Sequence, residues 1–236
     1  MKSSRVLAVL FISTASFMLS CSEKKETDPV EDILSKMTLE EKIGQMTQIN
    51  ISCIMTDSVE ANYDSVRAFV LDTNKLIEFV SKYHVGSFLN GRGVEPQNWY
   101  EYMDGLQRTN MKYSRLKIPI IYGVDHVHGS NYLNGGTIFP HNINIAATFD
   151  TTFAWHMGQV TVRETADLGH NWIFAPVLDL GRNKLWGRYY ETFGEDPYTV
   201  SVFGSAFING IQQCTDADPY RVAACGKHFL GYSDPK

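Results

Sequence analysis

With 236 residues and 44% hydrophobic side chains, the chain can bury a sizeable core, which argues against a disordered polypeptide. The formal charge is −5 and no basic tract occurs outside the first few residues, so a nucleic-acid footprint is missing. The length fits one large domain or two small ones, just short of the roughly 250 residues of a complete (β/α)8 barrel.

Residues 1–20 read as a signal peptide. Lys2 and Arg5 form a positive start, and Val6 to Leu19 is an apolar run too short for a permanent bilayer helix. Ser20-Cys21 follows, then the polar residues 22–29. This resembles a bacterial lipoprotein signal, in which Cys21 is lipidated and 21–29 is a tether. An ordinary signal peptide with a chance cysteine is the competing reading; lipidation explains both the cysteine's position and the charged stretch behind it. Either way the chain is expected to be exported. Of the three remaining cysteines, Cys214 and Cys225 either pair or stay as free thiols, and no CxxC pair supports a zinc ribbon.

From Asp28-Pro29 onward, apolar strands alternate with amphipathic helices. Val30, Ile33, Leu34 and Met37 share one helical face. Thr38-Leu39-Glu40-Glu41 is a capping box opening a second helix, with Leu39, Ile43 and Met46 as its apolar stripe. Asp72 to His84 reads as a helix, Val85 to Leu89 as the first buried strand, and Pro96 to Ser114 as a helix with Tyr100, Met103, Leu106 and Met111 in phase. Lys117 to Asp125 is a second strand that ends in a carboxylate. Asp150 caps a helix to Leu168 with Gly169 as its terminator; Trp172 to Leu178 is a third strand, ending at Asp179. Asp196-Pro197 opens a helix burying Val200, Phe203, Phe207 and Ile211, and Val222 to Phe229 is a fourth strand. Hairpin signals, repeats and a Gly-x-Gly-x-x-Gly turn are all missing. The pattern predicts an α/β fold: an incomplete (β/α)8 TIM-type barrel, with a doubly wound sheet as the competing arrangement. Polar groups then sit at the C-terminal ends of three strands.

Five stretches in series carry a resemblance: Met37-Thr38-Leu39-Glu40-Glu41-Lys42-Ile43-Gly44-Gln45-Met46, Tyr122-Gly123-Val124-Asp125-His126-Val127-His128-Gly129, Phe174-Ala175-Pro176-Val177-Leu178-Asp179, Trp186-Gly187-Arg188-Tyr189-Tyr190-Glu191-Thr192-Phe193-Gly194-Glu195-Asp196-Pro197 and Lys227-His228-Phe229. In this order they resemble the N-terminal barrel domain of family 3 glycoside hydrolases, over residues 30–236. The resemblance implies a retaining β-glucosidase or β-xylosidase that removes terminal β-linked sugars in carbohydrate catabolism, with a β-glycoside as partner, no cofactor and no metal. It places Asp125, Arg188, Lys227 and His228 around the sugar. Asp accepts two hydroxyl protons, and Arg and Lys donate to hydroxyl oxygens. With the anchor, it implies a periplasmic or outer-membrane lipoprotein of a Gram-negative cell, touching the membrane only through its lipid.

Each residue also has a structural reading. Asp125 is a possible turn former, and Arg188 a possible partner of Glu191 or Asp179. Lys227 stands inside an apolar strand, where a charge needs a partner. Glu191 and Glu195 read as structural. Two departures stand out: Arg182-Asn183-Lys184-Leu185 replaces the family's usual Arg-Asp-Pro-Arg, and Leu230-Gly231-Tyr232-Ser233-Asp234 replaces the Pro-Gly-His-Gly loop of the hexosaminidase branch. The first affects local loop geometry, and the second favours the glucosidase or xylosidase type. The family's nucleophile and acid/base have no counterpart, so the chain reads as a fragment whose catalytic carboxyls lie beyond Lys236. Two alternatives remain. One is a lipid-anchored sugar-binding protein. The other is a metal-dependent hydrolase in which His126 and His128 share one face of a strand end.

Overall fold

The structure is a computed structural model that describes residues 28–56, 70–213, 220–229 and 232–233. Cys21 and the signal segment, Cys214, Leu230, Gly231 and Asp234 lie outside the described residues. The chain divides into two units, 1–36 and 37–236. In the first, α1 (Pro29–Lys36) is a helix whose Val30, Ile33 and Leu34 are all exposed.

The second unit begins on the capping box. Thr38 Oγ1 accepts from Glu41 N at 3.2 Å and Glu41 Oε2 accepts from Thr38 N at 2.9 Å, which starts α2 (Leu39–Gln45). The expected apolar stripe does exist, but Leu39, Ile43 and Met46 face outward; α2 buries Glu41 and Gly44 instead. Arg115 grips both Glu41 oxygens, at 2.7 and 2.5 Å. This bond, with the Thr38 amide, pulls the Glu41 carboxyl down to about 2. A depressed carboxylate stabilises the fold above its unfolded value of about 4.5, and that contribution is lost as pH falls toward 2. Glu41→Ala removes half the box and the ion pair together. It is expected to cost about 1–2 kcal/mol, read from urea unfolding at pH 7.

Five parallel strands follow in spatial order β1 to β5: β1 (Gln48–Asn50), β2 (Ser87–Leu89), β3 (Ile121–Val124), β4 (Trp172–Ile173) and β5 (Ala223–Ala224). Each strand pairs with the next in sequence, so the order never reverses. A doubly wound sheet reverses at its switch point; a barrel sheet does not. The strands are shorter than their apolar runs, because pairing breaks off where the chain turns into the loops above the sheet. The hydrophobic pattern does not predict β1. Its three residues are polar or half-buried, and Gln48 secures it by donating to Ser87 Oγ at 2.7 Å.

Helices cover one face of the sheet. α3 (Thr73–Ser81) and α4 (Pro96–Tyr113) bury Leu76, Val80, Trp99, Tyr102 and Leu106 against Phe88, Tyr122 and Val124. In α4 Met103 and Leu106 are buried as expected, but Trp99 is fully buried in the place expected of Tyr100, and Tyr100 is exposed. Trp99 wins because its indole N–H reaches the Tyr132 carbonyl at 2.7 Å while its ring fills the core. α5 (Asn142–Ala146) is a short helix that the sequence pattern does not mark. α6 (Thr151–Asp167) and α7 (Pro197–Gln212) start on Asp150 and Asp196 as expected, with Gly169 at φ +80° after α6. They touch backbone to backbone at Gly158 and Gly210, where an added Cβ would meet Phe207 O at 2.6 Å and Trp155 O at 2.3 Å. The predicted Val200, Phe203, Phe207 and Ile211 are all buried, with Ile173 and Ala175 beneath them. The opposite sheet face carries Gly123, Trp172 and Phe174, and Ile121 is 41% exposed there. Cys53 and Cys225 are free thiols.

Candidate functional site

The parallel sheet sends its C-terminal ends to one side, and three of them meet there. β3 delivers Asp125. The segment after β4 delivers Asp179 and, through a loop, Arg188. β5 delivers Lys227 and His228. The last two strand ends stay in step above the sheet: Leu178 N donates to Lys227 O at 2.6 Å, and Lys227 N donates to Pro176 O at 2.9 Å. The Lys227–His228 peptide is cis. All four residues singled out in the sequence line a single pocket of about 490 Å³.

Lys227 is largely buried. Its side chain is 12% exposed and its Nζ lies 2.5 Å from Asp125 Oδ1. This is the partner that a lysine in an apolar strand requires. Asp125 is 40% exposed, so its second oxygen remains available to the pocket. Across from this pair runs a chain of three groups. Buried Asp179 accepts from His228 Nδ1 at 2.7 Å and from its backbone N–H at 3.3 Å. His228 Nε2 lies 3.1 Å from Arg188 Nη1. Arginine can only donate, so Nε2 accepts and the His228 proton sits on Nδ1. Arg188 also forks onto Glu191, Nε to Oε1 at 2.8 Å and Nη2 to Oε2 at 2.5 Å. That pairing raises the guanidinium above its ordinary value despite partial burial. The Arg188–Glu191 partnership weighed in the sequence is therefore present, and Asp179 serves His228 instead.

Six further residues line the same pocket: Val127, His128, Asn131, His141, Tyr190 and Glu191. All come from loops or their edges, where no periodicity marks them. The His128 and His141 rings stand 4.1 Å apart, and His141 meets Tyr190 at 4.5 Å. Burial, and then the neighbouring His128, lower His141. Asn131, with its amide nitrogen turned toward the carbonyls, donates to Asp125 O at 2.9 Å and Gly129 O at 3.2 Å.

The metal reading of His126 and His128 is corrected. β3 ends at Val124, so the two rings do not share a strand face. His128 lines the pocket and bonds the Phe139 carbonyl at 2.9 Å, whereas His126 is fully buried behind the strand against Thr165. Among the described residues no group of three His, Cys, Asp or Glu side chains converges as metal ligands would.

The pocket thus holds charge-assisted donors and acceptors in fixed pairs, suited to a ligand rich in hydroxyls. Both carboxylates that line it, and Asp179 behind His228, are already engaged: Asp125 by Lys227, Glu191 by Arg188 and Asp179 by His228.

Known proteins resemble this chain in sequence and in fold. The family model described as "Glycosyl hydrolase family 3 N terminal domain" matches residues 38–236. A "Lysosomal beta glucosidase" of Dictyostelium discoideum is 38% identical over 221 residues, covering 87% of this chain and 26% of that protein. A "Periplasmic beta-glucosidase" of Salmonella typhimurium is 34% identical, covering 86% of this chain and 23% of that protein. Among solved structures, the exo-1,3/1,4-beta-glucanase ExoP of a Pseudoalteromonas species superposes with a TM-score of 0.71 at 32% identity, over 87% of this chain and 25% of its own. The chain spans about a quarter of the length of the curated relatives it matches.

Proposed function

This chain belongs to glycosyl hydrolase family 3 as an N-terminal domain, and from that premise we propose that the protein is a retaining β-glucosidase or β-xylosidase. It acts on terminal β-linked sugars, and residues 38–236 supply the wall that holds the terminal ring. The observation carrying this reading is the convergence of Asp125, Arg188, Lys227 and His228 on one pocket with complementary hydrogen-bonding roles.

In this reading the free oxygen of Asp125 accepts from one or two sugar hydroxyls. The remaining Nζ protons of Lys227 donate to a neighbouring hydroxyl oxygen. Arg188 and His228 act as a unit whose orientation Glu191 and Asp179 fix. Their work is positioning: rigid donors and acceptors grip the hydroxyls and tighten as the ring flattens toward an oxocarbenium-like transition state. No described carboxylate is assigned as nucleophile or acid/base, because each one in the pocket is committed to a cation or histidine. The protein purified from its native cells is expected to hydrolyse a nitrophenyl β-D-glucoside or β-D-xyloside with retention, leaving the α-anomers intact. Residues 1–236 alone are expected to leave all of them uncleaved; turnover by that piece would overturn the assignment. A sugar-binding protein without hydrolysis is the second reading, favoured by the same engaged carboxylates. Absence of turnover by the native protein, with binding kept, would select it.

We further propose that the protein is exported and anchored through lipidated Cys21. The lipoprotein-like signal in the sequence and the periplasmic name of the Salmonella relative support this. No helix among the described residues is long and apolar enough to cross a membrane. Labelled palmitate is expected to enter the wild-type protein and not Cys21→Ser; equal labelling of both would remove the anchor.

A further inference from the structure

Behind β3, on the helix-covered side, lies a buried layer of rings that the proposed sugar site does not use. His126, Ser130 and His170 are 0%, 0% and 2% exposed. His170 stacks on Tyr122 at 5.1 Å and meets Trp99 edge-on at 4.3 Å. His126 Nε2, both ring nitrogens of His170 and Ser130 Oγ have no hydrogen-bond partner among the described residues.

The tautomer of His126 follows from its neighbours. Its Nδ1 lies 2.8 Å from Thr165 Oγ1, and the Thr165 hydroxyl proton is directed to Thr161 O at 2.6 Å. Thr165 Oγ1 must then accept from His126, so the imidazole proton is on Nδ1 and Nε2 is a bare acceptor. His170, neutral when buried, offers one N–H and one lone pair. The two rings stand 6.0 Å apart, centroid to centroid, and exchange no direct bond. Two buried rings this close, each with an unpartnered nitrogen, call for a shared hydrogen-bonding molecule.

We propose that a water molecule is built into this layer, donating to His126 Nε2 and bonded to a ring nitrogen of His170. Water meets the requirement because it supplies both protons and lone pairs, and buried waters typically satisfy about three such groups. A metal ion does not. Two neutral imidazoles and a hydroxyl bring no negative charge, and a buried dication without counter-charge is strongly disfavoured. Burial also keeps both rings neutral: it lowers His126 to about 3 and His170 well below its ordinary value. The water ties the residue after Asp125 to the segment leading into β4, and so braces the β3 end from behind. This inference stands apart from the sugar reading, since the orphaned atoms need a partner whatever the pocket binds.

A crystal structure of the chain at a resolution that shows ordered solvent tests it directly. The expected result is a density peak within hydrogen-bond distance of both His126 Nε2 and a His170 nitrogen; a dry gap or a direct ring-to-ring bond overturns the proposal. In solution, His170→Phe keeps the stacked ring and removes its nitrogens. The water then loses a partner, and Tm at pH 7 is expected to fall by roughly 2–4 °C or more. An unchanged or raised Tm would mean that no water was held there.

Discussion

Replacing Lys227 by methionine is expected to weaken binding of D-glucose to the chain by about 10- to 100-fold. Methionine keeps much of the aliphatic stem and removes the ammonium. The stem runs through a nearly closed site, with the side chain 12% exposed, so the change is one of charge more than of packing. Two losses follow. The hydrogen bonds from Nζ to a sugar hydroxyl disappear, at roughly 1.5–3 kcal/mol for a charged donor. Asp125, no longer held at 2.5 Å, gains freedom to rotate away from the ring it is read to grip. Lys227→Arg separates these effects: it restores the charge with a planar, bulkier head, and is expected to recover only part of the affinity. Titration followed by nuclear magnetic resonance measures both variants. Equal affinity for wild type and Lys227→Met would remove Lys227 from the sugar site.

The second large effect concerns acid. His126 and His170 are buried neutral, and burial holds both folded values below the ordinary 6.5, His126 at about 3. Below pH 6.5 the unfolded chain takes up these protons and the folded chain does not, so stability falls as pH falls. Each such group contributes a slope of about 1.4 kcal/mol per pH unit, so His126 alone removes roughly 4–5 kcal/mol by about pH 3. That is comparable with the whole net stability of many domains, about 5–15 kcal/mol, so acid unfolding is expected before the carboxylates finish titrating. The window between pH 6.5 and 4.5 isolates the histidines, because Glu41 begins to lose its contribution only below about 4.5. Urea unfolding across that window is expected to show a steep slope in wild type and a shallower one in His170→Phe. A flat wild-type profile would contradict the burial of two neutral imidazoles.

Much of the frame was legible in the sequence because it rests on local chemistry. Thr38, Asp150 and Asp196 are caps whose side chains bond amides two or three residues away, and each helix starts where its cap predicts. The apolar phase of α7 was legible for a similar reason: four residues at helical spacing all reach one core. Phase failed where tertiary contacts outweigh hydrophobicity. Trp99 displaces Tyr100 by finding a carbonyl for its indole, and α2 turns Glu41 inward because Arg115, distant in sequence, waits there. β1 escapes notice because Gln48 and Asn50 are polar, and its pairing with Ser87 is invisible to a hydrophobic pattern.

The site divides along the same line. Asp125, Lys227 and His228 stand out as polar groups at the ends of apolar strands, and Arg188 through its motif. The partnerships among them were not legible. Asp179 fixing the His228 tautomer, and His228 receiving Arg188, depend on loops brought together from 40 or more residues apart. His128, His141 and Tyr190 enter the pocket from turns that carry no periodic signal.

The assignment rests above all on one claim: this pocket holds a sugar ring through Asp125, Arg188, Lys227 and His228. The most direct measurement is a titration of the isotopically labelled chain with D-glucose, following side-chain and backbone signals. Saturable shifts are expected, centred on those four residues with His128 and Tyr190 at the margin, and lost in Lys227→Met. Absence of binding, or shifts centred elsewhere while these four stay still, would contradict the claim.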